Sequence, residues 1–353
     1  MAAVADRRRF LASSVAACAV VSGWGTASAQ AKPDSAKPEL ARLTVAVGGK
    51  ASFLHLPLSI ADQLGYFRSE GLDVEVADFP DWSRAQQAVL GGAAEVCSGS
   101  FEHVIALQQR KQFYQSIVLQ GRAPQVAMGV STRTLAQFRT AADLRGRRIG
   151  VSALGSTTQL TAQLVLAHAG VPAQEVHYVS VGSAAGALTA LRSGQVEAMS
   201  NSEPVMTMLE QRGDVRIISD TRTLKGTAAV FGGVMPSACL YSGNDFVRAH
   251  PRTCQALANG IVHALKWLQT AGPSDMMKTV PEAYLLGDRA LYLASFANVR
   301  EAFSTDGLVP ADGVQTALRA LASTAAEPST KGPVTTLLYT NEFARKAKDR
   351  FRA

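Results

Sequence analysis

From Leu43 onward the chain alternates short β-branched runs with longer segments whose apolar residues recur every three or four positions. Leu43-Thr44-Val45-Ala46-Val47 reads as a strand stopped by Gly48-Gly49, and the spacing of Leu58, Ile60, Ala61 and Leu64 up to Gly65 predicts a helix with a glycine stop. Residues 72–76 alternate apolar and acidic, as a strand with one covered face does. Residues 83–90 predict a helix closed by Gly91-Gly92, and Glu95-Val96-Cys97 starts a third strand. The order βαβαβ implies a parallel sheet with right-handed crossovers.

The same order returns about 100 residues later. Gly92-Ala93-Ala94-Glu95-Val96-Cys97-Ser98-Gly99-Ser100 matches Gly194-Gln195-Val196-Glu197-Ala198-Met199-Ser200-Asn201-Ser202 at an offset of 102, and both stretches follow a helix ending in leucine, Leu90 and Leu191. Upstream, Ile149-Gly150-Val151, a helix over 159–169 and Gly170 answer the first strand-helix-glycine unit, and residues 176–179 answer the second strand. The chain thus reads as an internal duplication with two α/β lobes. Apolar runs at 125–130 and 230–240 look like strands crossing between them, and a fourth strand is expected at 116–119. The remainder, from 244 on, is helical by spacing (245–269, 290–303, 313–321) and is expected to pack back on the first lobe. The expected division is 42–129 plus 237–353 for lobe one and 130–236 for lobe two. Ligands of open α/β sheets sit beyond the carboxyl ends of the strands, so the cleft between two such sheets is the expected site, with the crossing strands as a hinge.

The N-terminus has a separate logic. Arg7-Arg8-Arg9 precede an apolar stretch over 10–21 that ends at Ala27-Ser28-Ala29, so residues 1–29 read as an export signal and the mature chain as starting at Gln30. Arg7-Arg8-Arg9-Phe10-Leu11 fits the twin-arginine pattern. Two alternatives are a general secretory signal with a basic end, and a lipobox at Val15-Ala16-Ala17-Cys18 that makes Cys18 a lipid anchor. Residues 30–41, with two Lys-Pro pairs, read as a disordered lead-in.

Composition narrows the class. The 353 residues are 47% hydrophobic and 18% charged, an ordinary globular balance, and no window outside the N-terminus is apolar enough to span a membrane. Without residues 1–29 the chain carries 32 basic and 27 acidic side chains, a net +5 that is too diffuse for a nucleic-acid footprint. The basic tail at 345–350 reads as a solvated helix face. The mature cysteines, Cys97, Cys239 and Cys254, are odd in number and lack C-x-x-C spacing. They read as buried small hydrophobes, with a Cys239 to Cys254 bridge as the minor alternative.

Candidate ligand contacts gather at the predicted strand ends. Lobe one offers Ser52, Phe53 and His55, then Trp82 after Asp81, then Ser98, Ser100 and Phe101; lobe two offers Ser152, Ser156 and Thr157 before a helix, and Asn201 after its third strand. Hydroxyls and helix N-termini supply donors and favour anions, while aromatic faces cover an apolar body. The structural alternative is that these serines and threonines are ordinary helix caps. Arg122 follows the fourth strand and can pair with an acidic ligand or with Glu102 or Asp81, and His103 also lies near a strand end. The two halves differ where ligands sit, so lobe one is expected to grip the apolar body and the helix start at Ser156-Thr157 the anionic head. No zinc-protease motif, nucleophile elbow, P-loop, dinucleotide fingerprint or acidic metal loop is present, so no catalytic residue and no cofactor is expected.

Four glycine-framed stretches, Gly65-Tyr66-Phe67-Arg68-Ser69-Glu70-Gly71-Leu72-Asp73-Val74, 91–96, 143–151 and 193–198, together with the duplication and the export signal, resemble the nitrate/sulfonate/taurine-type periplasmic substrate-binding proteins of ABC importers. The resemblance covers about residues 42–325. It implies a two-lobed α/β periplasmic-binding-protein fold of type 2 with two hinge-crossing strands. It also implies a monomeric clamp for a small organic anion, such as an alkyl or aryl sulfonate, a taurine-like molecule or an aromatic carboxylate, docking on a membrane permease with its ATPase. A thiamine-pyrimidine precursor or nitrate is the alternative ligand, and an exported enzyme on the same scaffold the alternative class. The pyrimidine synthases of the wider group use a cysteine-rich motif that this chain lacks.

Overall fold

The computed structural model describes residues 37–324 and 333–353. The export signal, Cys18 and the first part of the lead-in lie outside the described residues. Ten strands follow in order: β1 (Arg42–Gly48), β2 (Asp73–Phe79), β3 (Val96–Ser100), β4 (Tyr114–Leu119), β5 (Val126–Ser131), β6 (Arg148–Val151), β7 (His177–Ser180), β8 (Ala198–Ser202), β9 (Val215–Asp220) and β10 (Ala238–Gly243). They form two five-stranded sheets, β2-β1-β3-β10-β4 and β7-β6-β8-β5-β9, which share one topology. The repeated sequences are β3 and β8, each the middle strand of its sheet.

Within each sheet the first three strands run parallel, β1 with β2 and β3, and β6 with β7 and β8. The fourth position runs the other way: β10 is antiparallel to β3 and β4, and β5 to β8 and β9. The sheets are therefore mixed, where the βαβαβ order alone predicts parallel ones. The reason is the point of entry. β10 starts with Ala238 beside Ser100 at the end of β3, and β5 starts with Val126 beside Ser202 at the end of β8. Each of these strands comes from the other half, enters its sheet at the carboxyl ends of the parallel strands, and has to run back against them.

This entry also locates the passage between halves. β5 pairs along its whole length with second-sheet strands, so residues 126–129 join the second sheet, and Val230 lies in the helix Leu224–Phe231. The links are residues 120–125 and 232–237, and they lie side by side, with Ser237 N donating to Gly121 O at 2.8 Å. A strand buried from end to end, as β5 is, reads as one apolar run whichever sheet it joins.

The C-terminal helices Pro251–Thr270 and Glu342–Phe351 share a core with the first sheet through Leu257, Ile261, Leu265, Phe343 and Ala344, packed with Val45, Leu58 and Phe67. Gly260 lets the ring of Phe67 lie against the helix backbone, since a Cβ there would stand 2.4 Å from Phe67 Cδ1. Pro251, which lacks an N–H, starts a new helix after Asn244–Ala249, splitting the single helix expected over 245–269. The end of the lead-in is held: Glu39 Oε2 accepts from Thr253 N at 2.7 Å and Glu39 Oε1 from Arg252 N at 3.0 Å, which places a carboxylate at a helix N-terminus. Cys97, Cys239 and Cys254 are free and buried, so Cys239 and Cys254 do not pair.

Candidate functional site

The carboxyl ends of β1, β2 and β3 meet those of β6, β7 and β8 around a cavity of about 60 Å³. Ser52 and His55 enter it from the turn and short helix Phe53–His55 after β1, and Asp81 and Trp82 from the start of the helix Trp82–Leu90 after β2. Ser98, Gly99 and Ser100 end β3, and His103 lies in the first turn of the helix Phe101–Gln109. The other half contributes Ser152, Ser156, Thr157 and Thr158 around the start of the helix Thr157–His168, Gly182 and Ser183 after β7, and Ser202 of β8.

The halves touch around this cavity. Ser52 Oγ lies 3.3 Å from Ser202 Oγ, Phe53 N donates to Glu203 O at 3.3 Å, and Ser100 Oγ lies 2.7 Å from Thr157 Oγ1. The Thr157 hydroxyl also donates to the carboxyl of Glu102, which burial pushes up to about 7 against the hydrogen bonds from Thr157 and Ser100.

Among the described residues no lysine or arginine lines the cavity. Asp81 is its one acidic residue, and Oδ1 is engaged as a helix cap, accepting from Arg84 N at 2.9 Å. Burial lowers His55 to about 4 and His103 to about 3, so both rings are neutral. His55 Nδ1 lies 2.8 Å from Ser98 Oγ, and Ser98 Oγ accepts from Gln120 Nε2 at 2.9 Å. The Ser98–His55 pair has the reach of a nucleophile and its base, and burial lowers the basicity of the ring to about 4. The arrangement is suited to hydrogen bonding. His103 has neither ring nitrogen partnered and Trp82 has a free Nε1–H, all buried.

Of the residues expected at the site, Ser52, His55, Trp82, Ser98, Ser100, Ser152, Ser156 and Thr157 line the cavity. Phe53, Phe101, Arg122 and Asn201 do not. Phe53 and Phe101 are the first apolar residues after a strand end, and the turn into a helix draws them under the helix. Phe53 packs edge-on to Tyr292 at 4.6 Å, and Phe101 is fully buried in the core toward Tyr339. Asn201 Nδ2 donates to Gly182 O at 2.8 Å and holds the loop after β7. Arg122 Nε donates to Glu301 O at 3.0 Å in a separate groove with Arg300, and it meets neither Glu102 nor Asp81. The aromatic wall is thus Trp82 with His103. The cap role of Ser156 is realised as well, its Oγ accepting from Gln159 N at 3.4 Å. Gly182, Ser183 and Ala238 were missed. The duplication points to the first two, since the offset of 102 carries Pro80 and Asp81 onto them, whereas Ala238 is brought in only by the returning strand.

A family profile described as NMT1/THI5 like matches residues 52–271, more than half of the chain. The chain belongs to the NMT1/THI5-like family. A solved protein of Bordetella bronchiseptica RB50 is 49% identical to this NMT1/THI5-like chain, covering 90% of it and all of its own length, with a TM-score of 0.87. The alkanesulfonate-binding protein SsuA of Xanthomonas axonopodis pv. citri, bound to MOPS, is 17% identical over 86% of this chain and 100% of its own, with a TM-score of 0.68. The desulfurization enzyme DSZB is 18% identical over 88% and 99%, with a TM-score of 0.56. The last two likenesses concern the fold, which is the two-sheet periplasmic-binding-protein fold. No match was found among curated proteins.

Proposed function

We propose that this protein is the periplasmic solute-binding component of an ABC importer of the nitrate/sulfonate/taurine type. Its cavity closes on a small organic solute with one anionic group, such as a sulfonate, a taurine-like molecule or an aromatic carboxylate. The observation that carries this reading is the joint ownership of the cavity. Both halves line it, and the starts of the helices Trp82–Leu90, Phe101–Gln109 and Thr157–His168 stand at its wall. Helix starts and hydroxyls stabilise an anion without a cationic side chain. Trp82 offers cover for an apolar body. A volume of about 60 Å³ holds a compact head group, and a larger solute has to hold the halves further apart than they stand here.

The partners of this reading are a membrane permease and its ATPase, reached by export through the signal at residues 1–29. Replacing Arg7 and Arg8 by lysine is expected to leave precursor in the cytoplasm, and acylation at Cys18 would replace Gln30 as the mature start. The ligand class is tested by thermal shift of the mature protein with methanesulfonate, taurine, benzoate, nitrate and a substituted pyrimidine. A bound solute at 100 times its dissociation constant stabilises by about 2.7 kcal/mol. Stabilisation by a sulfonate or carboxylate is expected, and a response to the pyrimidine alone overturns the organic-anion reading.

A further inference from the structure

Glu102 is the second residue of the helix Phe101–Gln109, and its carboxyl is buried at the seam between the halves, behind Ser100 and Thr157 of the cavity wall. One oxygen accepts from Thr157 of the opposite half, whose hydroxyl in turn accepts from Ser100. The other, Oε2, is buried without a partner among the described residues. No ion pair reaches it there, and the groups around it are uncharged. His103 follows it on its own helix, while β3, β4 and β10 bring Cys97, Tyr114, Cys239 and Tyr241, all kept protonated by burial. The helices Thr157–His168 and Ala311–Thr324 turn Leu160, Leu164, Val314 and Ala317 into the core shared with this helix.

We propose that Glu102 sets the charge of the solute: the halves close over it preferentially as the neutral acid, so closure takes up one proton, and a cavity without a cation among the described residues admits one negative charge and excludes a second. The proposal rests on reading the cavity as a solute site. When the halves part, Thr157 leaves the carboxyl and water replaces it, returning Glu102 toward the ordinary carboxylate range; when they close, burial raises it from 4.5 to about 7. A group raised in the closed state favours closure fully below its open-state value and loses that contribution as pH rises through the closed-state value. Affinity therefore falls between pH 4.5 and about 7, by up to about three-hundredfold, and levels off above. In the closed state His55 and His103, at about 4 and 3, are neutral through this window, and the comparison with Glu102→Gln separates the carboxyl's share of the pH dependence from theirs. A second negative charge on the solute meets no cation and no further proton.

The first test needs no solute. Ser52→Cys with Ser202→Cys puts two thiols where hydroxyl oxygens now lie 3.3 Å apart across the cleft, and oxidation locks the halves together. The carboxyl carbon resonance of Glu102, assigned by its loss in Glu102→Gln, is expected to titrate near 7 in the oxidised protein and near 4.5 in the reduced one. A midpoint near 4.5 in both overturns the proposal. Calorimetry on the unmodified chain with methanesulfonate and sulfate between pH 5 and 8 supplies the second readout. Methanesulfonate affinity is expected to fall as pH rises, to lose that dependence in Glu102→Gln, and to exceed sulfate affinity at every pH; equal binding of sulfate overturns the charge limit. If neither anion binds while the locked carboxyl still titrates near 7, the organic-anion reading fails and the proton-linked closure stands.

Discussion

The Trp82 indole lies flat against the His103 imidazole, ring centroids 4.1 Å and planes 18° apart, and its Cζ2 edge reaches Gly155 of the opposite half. A Cβ on Gly155 would stand 3.2 Å from that edge, at a backbone φ of +76° that side chains resist. Gly155→Ala is therefore expected to cost about 1 kcal/mol and to lower the melting temperature slightly. It is also expected to weaken solute binding, because Trp82 has to shift for the halves to close. A melting curve and a titration separate the two effects, and normal affinity in the variant would show that Trp82 is not part of the closed wall. Trp82→Ala is expected to weaken bulky solutes more than small ones.

Thr157 holds the two halves together at the cavity, giving its one hydroxyl proton to Glu102 and lying beside Ser100 at a helix start. Losing that bond across the cleft leaves a buried carboxyl without its donor, at about 1–3 kcal/mol, so Thr157→Val is expected to weaken closure on an anionic solute roughly ten- to a hundredfold, with Thr157→Ser close to the parent. Arg122→Ala is expected to bind normally, since Arg122 lies in a separate groove. Normal binding in Thr157→Val together with loss in Arg122→Ala would place the anion elsewhere.

Arg222 is buried and meets Glu203 at 2.8 Å, Glu210 at 2.9 Å and Asp220 at 2.7 Å. Glu203 is fully buried, and its carbonyl accepts the Phe53 N–H across the cleft, so the ion cluster also positions a contact between the halves. Arg222→Ala leaves the Glu203 charge uncompensated and is expected to cost about 3–5 kcal/mol in urea unfolding. Adding Glu203→Gln is expected to recover part of that loss. Equal stability of the single and double variants would mean that the Glu203 charge is not what the arginine offsets.

The two links at 120–125 and 232–237 lie side by side, and the halves meet across the cavity through few hydrogen bonds. A solute that contacts both halves is expected to shift an open and closed equilibrium by its differential affinity for the two states. X-ray scattering should then give a smaller radius with saturating solute. An unchanged radius would mean a cavity that fills without closing.

The internal repeat, Glu95-Val96-Cys97-Ser98-Gly99-Ser100 against Glu197-Ala198-Met199-Ser200-Asn201-Ser202, was legible in the sequence because hydrophobic period and glycine stops are local properties of the chain. With it came the two α/β halves, the strand ends as the place of the cavity, and the serines and Trp82 that line the cavity. Three things were decided only by the tertiary structure. The antiparallel β5 and β10 follow from where the chain re-enters each sheet, and no local pattern records the direction of a fully buried strand. Phe53 and Phe101 share with Trp82 the same place after a strand end, but the turn of the following helix sends them into the core. Glu102 reads in sequence as an ordinary acidic residue in a helix's first turn; its altered acidity arises from burial, against the hydrogen bond from Thr157, 55 residues away, and neither is a local property of the chain.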